Sequence, residues 1–231
     1  LTMIYETTII GKRRVASRTL EISVGLPKRL KYQPGQYMQV AVPKLAHSDF
    51  KGRSRVMSMI SSPSERDILT FAFRETGSGY KRTLAELPLG SSVKLEGPHG
   101  YFTLPEQPRR PIVCVAGGIG VTPYVSMIRT VVLRSIPVDF TLLYANRSRE
   151  STAYREELAQ TASMAINVTV QHIEGPIEQH HISEVGRAVG GAPRCIWNVA
   201  GPPAMVDSVR NFLFLMRVKP FMVCSEEFAG Y

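Results

Sequence analysis

The stretch Pro111-Ile-Val-Cys-Val-Ala-Gly-Gly-Ile-Gly-Val-Thr-Pro-Tyr124 limits what this chain can fold into more than any other. Its apolar run, Ile112 to Val115, stands between a proline and a glycine cluster. That is how a strand buried on both faces of a parallel sheet reads. Gly117, Gly118 and Gly120 allow a tight turn and let the backbone approach a ligand with no Cβ in the way. Thr122 is placed to cap a helix and Pro123 to open it, and Tyr124, Met127, Ile128, Val131 and Val132 continue at helical spacing. A strand, a glycine turn and a helix N-terminus together cradle phosphate, because unpaired N–H groups and the helix dipole both favour an anion there. The turn lacks the third glycine of G-x-G-x-x-G, and no Gly-Lys-Ser/Thr follows, which argues against a nucleoside-triphosphate loop. Alone, the turn is also compatible with a purely structural role.

The flanking chain divides at Pro105–Pro111, a proline-rich segment with few apolar residues and the natural linker. Before it, Met3–Ile10 and Arg18–Val24 read as strands separated by a basic turn, followed by Gln36–Val42, Arg55–Ile60, Ile68–Arg74 and Ser92–Glu96. A short helix, Lys81–Leu87, interrupts them, and Gly97-Pro98-His99-Gly100 reads as a turn. Many short strands with frequent turns indicate an antiparallel barrel or sandwich. After the linker, strands at Val138–Tyr144, Val168–Ile173 and Cys195–Val199 alternate with helices at Ser151–Met164, His181–Val189 and Pro202–Met216. This is the pattern of an open parallel sheet that binds ligands at the carboxyl ends of its strands. The expectation is an antiparallel β-barrel over 1–107 followed by an α/β open parallel-sheet domain over 108–231.

Composition narrows the ligand. The 231 residues carry 28 Lys+Arg against 19 Asp+Glu, a net charge of +9 that calls for an acidic partner or ligand. The basic clusters Lys12-Arg13-Arg14, Lys28-Arg29-Lys31, Lys81-Arg82 and Arg109-Arg110 are dispersed and not interleaved with aromatics, which argues against nucleic acid. Cys114, Cys195 and Cys224 are far apart, supply no four-thiolate iron–sulfur set, and read as buried thiols in a reducing compartment. The pair His180-His181 lacks metal-ligand spacing, so no metal is expected. No apolar run is long enough to span a membrane, and Glu6 with its neighbouring threonines stands where an export signal would be apolar. A cytoplasmic location is the expectation.

Several further stretches acquire meaning as a set. They are Pro34-Gly-Gln-Tyr37, Arg55-Val-Met-Ser58-Met-Ile-Ser61, Gly77-Ser-Gly-Tyr-Lys81-Arg-Thr-Leu84, Gly97-Pro-His-Gly-Tyr-Phe102, Ala116–Pro123, Gly201-Pro-Pro-Ala-Met205 and Glu226-Glu-Phe-Ala-Gly-Tyr231. In this order they resemble the ferredoxin–NADP⁺ reductase-like flavoprotein reductases over essentially the whole chain. The resemblance implies an FAD-binding barrel, an NAD(P)-binding α/β domain and no iron–sulfur domain. It implies that Arg55 contacts the FAD pyrophosphate, a role that suits its planar fork, and that Ser58 sits beside flavin N5. Lys81 and Thr83 would complete the pyrophosphate grip, and Val56, Met57, Arg74, Gly79 and Arg82 belong to the implied cofactor-binding set. Phe228, with Tyr231 second, would cover the flavin, and Glu227 would be the nearby carboxylate; Ser58, Glu227 and Phe228 form the implied catalytic group. Gly117, Gly118, Gly120 and Thr122 would receive the nicotinamide cofactor's pyrophosphate, with Gly201, Pro202 and Met205 as the opposite wall.

Two positions depart from the family pattern. Met57 replaces the stacking tyrosine of Arg-x-Tyr-Ser, and a thioether offers neither an aromatic plane nor a hydroxyl. Ala200 stands where the family often has cysteine, so the thiol is missing near hydride transfer. After the second parallel strand, Asn146, Arg147, Ser148 and Arg149 replace the acidic residue that would hold a free ribose 2′-hydroxyl. Arginines there suit a 2′-phosphate, which favours NADPH over NADH. The implied activity passes hydride from NAD(P)H to FAD and then electrons to an acidic redox protein such as a ferredoxin or flavodoxin. A small-molecule acceptor in a diaphorase-type reductase, or a flavin subunit within a larger assembly, are the alternatives the sequence leaves open.

Overall fold

A computed structural model describes residues 3–27 and 30–228 of the chain; Lys28, Arg29 and Tyr231 lie outside the described residues. The first half contains β1 (Met3–Ala16), β2 (Thr19–Gly25), β3 (Tyr37–Ala41), β4 (Ser54–Ser58), β5 (Ile68–Arg74), α1 (Gly79–Glu86) and β6 (Ser92–His99). The strands form an antiparallel six-stranded sheet in the order β4-β3-β6-β1-β2-β5. Its edges approach beyond β4, where Ile60 N donates to Thr70 O at 2.9 Å, and the sheet curls into a barrel around Ile22, Met38, Val40, Leu69, Phe71, Phe73 and Leu95. The alternation of Leu69, Phe71 and Phe73 supplies this inner face.

The basic turn expected between the first two strands is instead strand. β1 pairs with β6 through Thr8 and then with β2 through Ala16, changing partner at the register shift between Ile9 and Gly11. The cations tolerate the sheet because each finds a partner: Lys12 Nζ donates to Ala85 O at 2.6 Å, Arg13 pairs with Glu21 at 2.6 Å, and Arg14 pairs with Glu75. The Gly97-Pro98-His99 segment is likewise the end of β6 rather than a turn.

The second half contains β7 (Ile112–Gly117), α2 (Thr122–Leu133), β8 (Phe140–Asn146), α3 (Arg155–Ser163), β9 (Val168–Glu174), α4 (Gln179–Ala188), β10 (Ile196–Gly201), α5 (Pro203–Leu215) and β11 (Val223–Glu227). All five strands are parallel in the order β11-β10-β7-β8-β9. The chain leaves β7 toward β8 on one side and returns to β10 on the other, so the switch point lies between β7 and β10. The fifth strand, β11, was not legible as a strand because Val223-Cys-Ser-Glu-Glu is short and half polar. Cys114 and Cys195 are buried as expected, whereas Cys224 on this edge strand is exposed.

Thr122 does not cap α2. A 3-10 turn over Gly118–Val121 precedes the helix, and the Thr122 hydroxyl donates to Ile119 O at 3.0 Å. The turn carries the chain smoothly into α2, so no separate cap residue is required.

The two sheets share one seam. Ile60, Ala72, Phe102 and Leu104 of the barrel half pack in the same apolar cluster as Tyr124, Met127 and Ile128 of α2. Ser126 Oγ donates to Ser61 O at 2.7 Å, and the hydroxyls of Ser62 and Thr130 meet at 2.8 Å. Arg129 bonds Glu157 of α3 through Nε at 3.0 Å and reaches Glu65 at 3.5 Å, and Arg13 of β1 meets the same Glu157 at 2.9 Å. Burial pushes the Glu157 carboxyl up, but Arg129 and Arg13 more than offset this and hold it below the usual range. A carboxylate with a lowered folded pKa stabilises above its unfolded pKa, and the contribution is lost as pH falls through the folded value. Arg129→Met is therefore expected to lower stability by about 3 kcal/mol at pH 7 in urea unfolding, with the deficit shrinking below about pH 4.

Candidate functional site

The carboxyl ends of β7, β8, β9 and β10 open into a cleft of about 630 Å³. Gly117 and Gly118 form one wall, Pro202, Ala204 and Met205 the other, and Asn146, Arg147, Ser151 and Gly175–Ile177 one end. A Cβ on Gly117 would stand 2.6 Å from Met205 Sδ, and one on Gly201 2.6 Å from Met205 Cε. These glycines let the first turn of α5 close against the end of β7. Gly118 needs glycine for a second reason, its φ of +55°. Arg74, at the end of β5, reaches in from the barrel; its guanidinium donates to Ser151 O at 3.1 Å and meets Asn146 Oδ1 at 3.5 Å.

A second cavity, of about 300 Å³, is lined by Tyr37, Val56, Met57, Ser58, Glu226, Glu227 and Phe228. β3 and β4 set Tyr37 directly opposite Ser58, while Met57 pairs with Met38 and is 5% exposed in the barrel core. Phe228 lines both cavities, and its backbone N–H donates to Gly201 O at 2.9 Å. Glu226 is the unusual group. Its Oε2 is buried without a hydrogen-bond partner among the described residues, and burial pushes its carboxyl up to about 7.

Beside the barrel, three cations gather at the start of α1. Arg55 lies 5.0 Å over the Tyr80 ring and is held by Asp49 at 2.6 Å and by the Gly52 carbonyl at 3.0 Å. Asp49 also accepts from Tyr80 N at 2.9 Å and from Ser78 Oγ at 2.7 Å, and with Lys51 N and Arg55 these bonds hold its carboxyl far below the usual range. Lys81 is 4% exposed; burial first, then the charges of Arg55 and Lys51, push it down to about 8.

The comparisons with known proteins fit this geometry. The oxidoreductase FAD-binding domain model matches residues 6–104, and the oxidoreductase NAD-binding domain model matches residues 114–211. The chain belongs to the ferredoxin reductase-like flavoprotein family. FAD and a pyridine nucleotide are the cofactors of this pair of domains, which makes the family one of FAD-dependent NAD(P)H oxidoreductases. Terephthalate 1,2-dioxygenase reductase component 2 of Comamonas sp is 33% identical over 217 residues, 90% of this chain and 62% of that protein. The chain thus spans about 62% of the length of such relatives. The fold is shared with a cytochrome P450 reductase of Amycolatopsis (TM-score 0.83, 22% identity, 98% of this chain and 70% of that one). It is shared also with the ferredoxin–NADP⁺ reductase of Plasmodium falciparum (TM-score 0.81, 18% identity, 97% and 96%).

The donor set suits the cofactors of this family. A lysine buried beside two cations is what a bound pyrophosphate relieves, and the nucleotide cleft is lined by Gly117, where a Cβ would crowd Met205, and by Gly118, with its positive φ. Of the residues expected to bind cofactor, Arg55, Lys81, Val56, Met57 and Ser58 fall around the barrel site. Arg74, Gly117, Gly118, Asn146, Arg147, Pro202, Met205 and Phe228 line the cleft. The others do not line either cavity, and Tyr231 lies outside the described residues. Gly120 packs against β10, where a Cβ would meet Ala200 O at 2.5 Å, and Thr122 is 2% exposed behind the turn. Gly201 supports Met205 from β10. The Thr83 hydroxyl accepts from Ala46 N at 3.1 Å and His47 N at 3.2 Å, so it holds a loop. Gly79 allows the same approach, because a Cβ there would meet His47 O at 2.6 Å. Arg82 is exposed, and Arg149 pairs with Glu156 at 3.6 Å outside the cleft.

Sequence reasoning chose Glu227 as the carboxylate and passed over Glu226 and Tyr37. Both glutamates line the second cavity, but Glu226 is the half-buried one and Glu227 is exposed. Recognising β11 would have distinguished them, because alternation along a strand turns neighbours to opposite faces. Since the Glu226 carboxyl is raised in the folded protein, stability falls as pH climbs from the unfolded value toward about 7. Glu226→Gln is expected to exceed the parent by about 1–3 kcal/mol at pH 8 and to match it near pH 4.5, as measured by urea unfolding.

Proposed function

We propose that the chain is an NADPH-preferring flavin reductase unit that delivers electrons to an acidic redox protein. The observation that carries this reading is Phe228, which forms a wall of the nucleotide cleft on one side and of the Ser58–Glu226 cavity on the other. A side chain common to both cavities marks where a nicotinamide would have to meet the flavin. When bound, FAD supplies the hydride acceptor at N5 and the means to pass electrons onward singly or paired.

The chain's own residues have separable tasks. Arg55 and Lys81 hold the flavin pyrophosphate, with Asp49 fixing the Arg55 fork at 2.6 Å so that little side-chain freedom is lost on binding. Ser58 presents a hydroxyl that donates or accepts beside the reacting edge, and Phe228 excludes water from that edge. Glu226, with a carboxyl raised to about 7 by burial, is poised to hold or release a proton beside that edge near neutral pH. At the far end of the cleft Arg147 is exposed and lines the wall near Asn146 and Ser151, with no carboxylate among the residues lining the cleft. That arrangement suits a ribose 2′-phosphate better than a free hydroxyl.

The acceptor reading rests on charge and kinship together. A chain of net charge +9 attracts an acidic partner, and several relatives are named as reductase components of oxygenases. The flavin unit of a larger oxygenase system is thus the form of the proposal that the relatives favour.

Anaerobic stopped-flow reduction of the flavoprotein tests the reading. NADPH is expected to bleach the flavin at lower concentration than NADH, and Arg147→Ala to remove most of the difference by raising the NADPH requirement about tenfold. Glu226→Gln is expected to flatten the pH dependence of the reduction rate between about pH 6 and 8. A colourless protein that takes up neither FAD nor FMN would overturn the proposal.

A further inference from the structure

We infer that Tyr154 is a positioning residue for the nucleotide, acting through Glu21 of the flavin-side sheet. The inference rests on the assignment of the adenosine end to Asn146, Arg147 and Ser151. The segment that carries those residues runs from the end of β8 to the start of α3 within the parallel-sheet half, yet it is tied to the barrel. Ser17 N, in the β1–β2 turn, donates to Glu150 O at 2.8 Å, and Arg74 of β5 donates to Ser151 O at 3.1 Å. At the end of the segment the Tyr154 hydroxyl donates to Glu21 Oε2 at 2.8 Å.

That last contact is built with unusual care. Glu21 is 3% exposed and takes the Arg13 fork through both oxygens, at 2.6 and 3.0 Å. Tyr154 is 3% exposed, with the Arg13 guanidinium 5.8 Å from its ring centroid. Its φ of 60° places it in the left-handed region, where a bulky side chain persists only if its surroundings over-determine it. The hydroxyl bond to Glu21 and the ring's place in the seam cluster are what hold it there. The turn that aims Arg147 and Ser151 into the cleft is thus anchored on the sheet that holds the flavin. Loss of the hydroxyl would leave the ring packed and the flavin site intact, but would free the adenosine-end turn from one of its barrel anchors.

The experiment uses the FAD-loaded protein. Titration calorimetry gives Kd for NADP⁺ and NAD⁺, and steady-state reduction of ferricyanide by NADPH gives kcat and KM. Tyr154→Phe is expected to raise the Kd for NADP⁺ and the KM for NADPH about three- to tenfold, the range of one buried hydrogen bond. The kcat at saturating NADPH and the visible flavin spectrum should stay those of the parent. Glu21→Gln keeps an oxygen acceptor for the hydroxyl and is expected to retain more affinity than Tyr154→Phe. Unchanged Kd in Tyr154→Phe, or a fall in kcat with loss of flavin, overturns the inference. Arg147→Ala separates this from the reading beneath it. If Arg147→Ala weakens NADP⁺ selectively while Tyr154→Phe is silent, the inference fails and the assignment stands; if Arg147→Ala leaves the Kd for NADP⁺ unchanged, both fall.

Discussion

Helix α2 is held from both sides, and the site depends on that. Its N-terminal end continues from the Gly117–Gly118 turn, so its position sets one wall of the nucleotide cleft. Its body packs Tyr124, Met127 and Ile128 into a core that includes barrel residues, and Ser126, Arg129 and Thr130 bond across the seam. Groups that exchange a hydride must approach to about 3–3.5 Å, and a misplacement of about 1 Å costs orders of magnitude in rate. Two sheets joined only by the Pro105–Pro111 linker could not hold that tolerance. The seam replaces linker freedom with close packing, a buried ion network and hydroxyl bonds, each fixing a different direction of movement.

Charge is arranged with the same restraint. The cations at the start of α1 are not left to repel one another; Asp49 neutralises Arg55, while Lys81 remains buried with its pKa pushed down to about 8. Cations crowded in this way favour an anion beside them, because it would relieve the repulsion that helps push Lys81 down. At the other end of the flavin site the sign reverses. Glu226 is a half-buried carboxyl group, and burial raises it to about 7. Opposite environments thus move the two groups in opposite directions toward neutrality, Lys81 down to about 8 and Glu226 up to about 7.

Much of this was legible because local signals agreed with the global fold. The run Ile112–Val115 before a glycine turn forced a buried parallel strand, and alternation at Leu69, Phe71 and Phe73 forced a barrel face. What stayed hidden depended on pairing at long range. The cations at 12–14 read as a turn, because nothing local shows that Glu21, Glu75 and the carbonyl ends of α1 neutralise them. Thr83 and Gly120 sit inside motifs that suggest ligand contact, yet one ties down a loop and the other lets β10 approach.

The Met57 position shows the same division. A methionine where the family pattern has tyrosine suggests a weakened flavin wall when read from sequence alone. In the structure Met57 packs opposite Met38 in the barrel core, while Tyr37 lines the cavity directly across from Ser58. An aromatic ring is therefore present in the wall, on the neighbouring strand. The Met57 thioether packs in the core and also borders this cavity, with the Tyr37 ring and hydroxyl beside it.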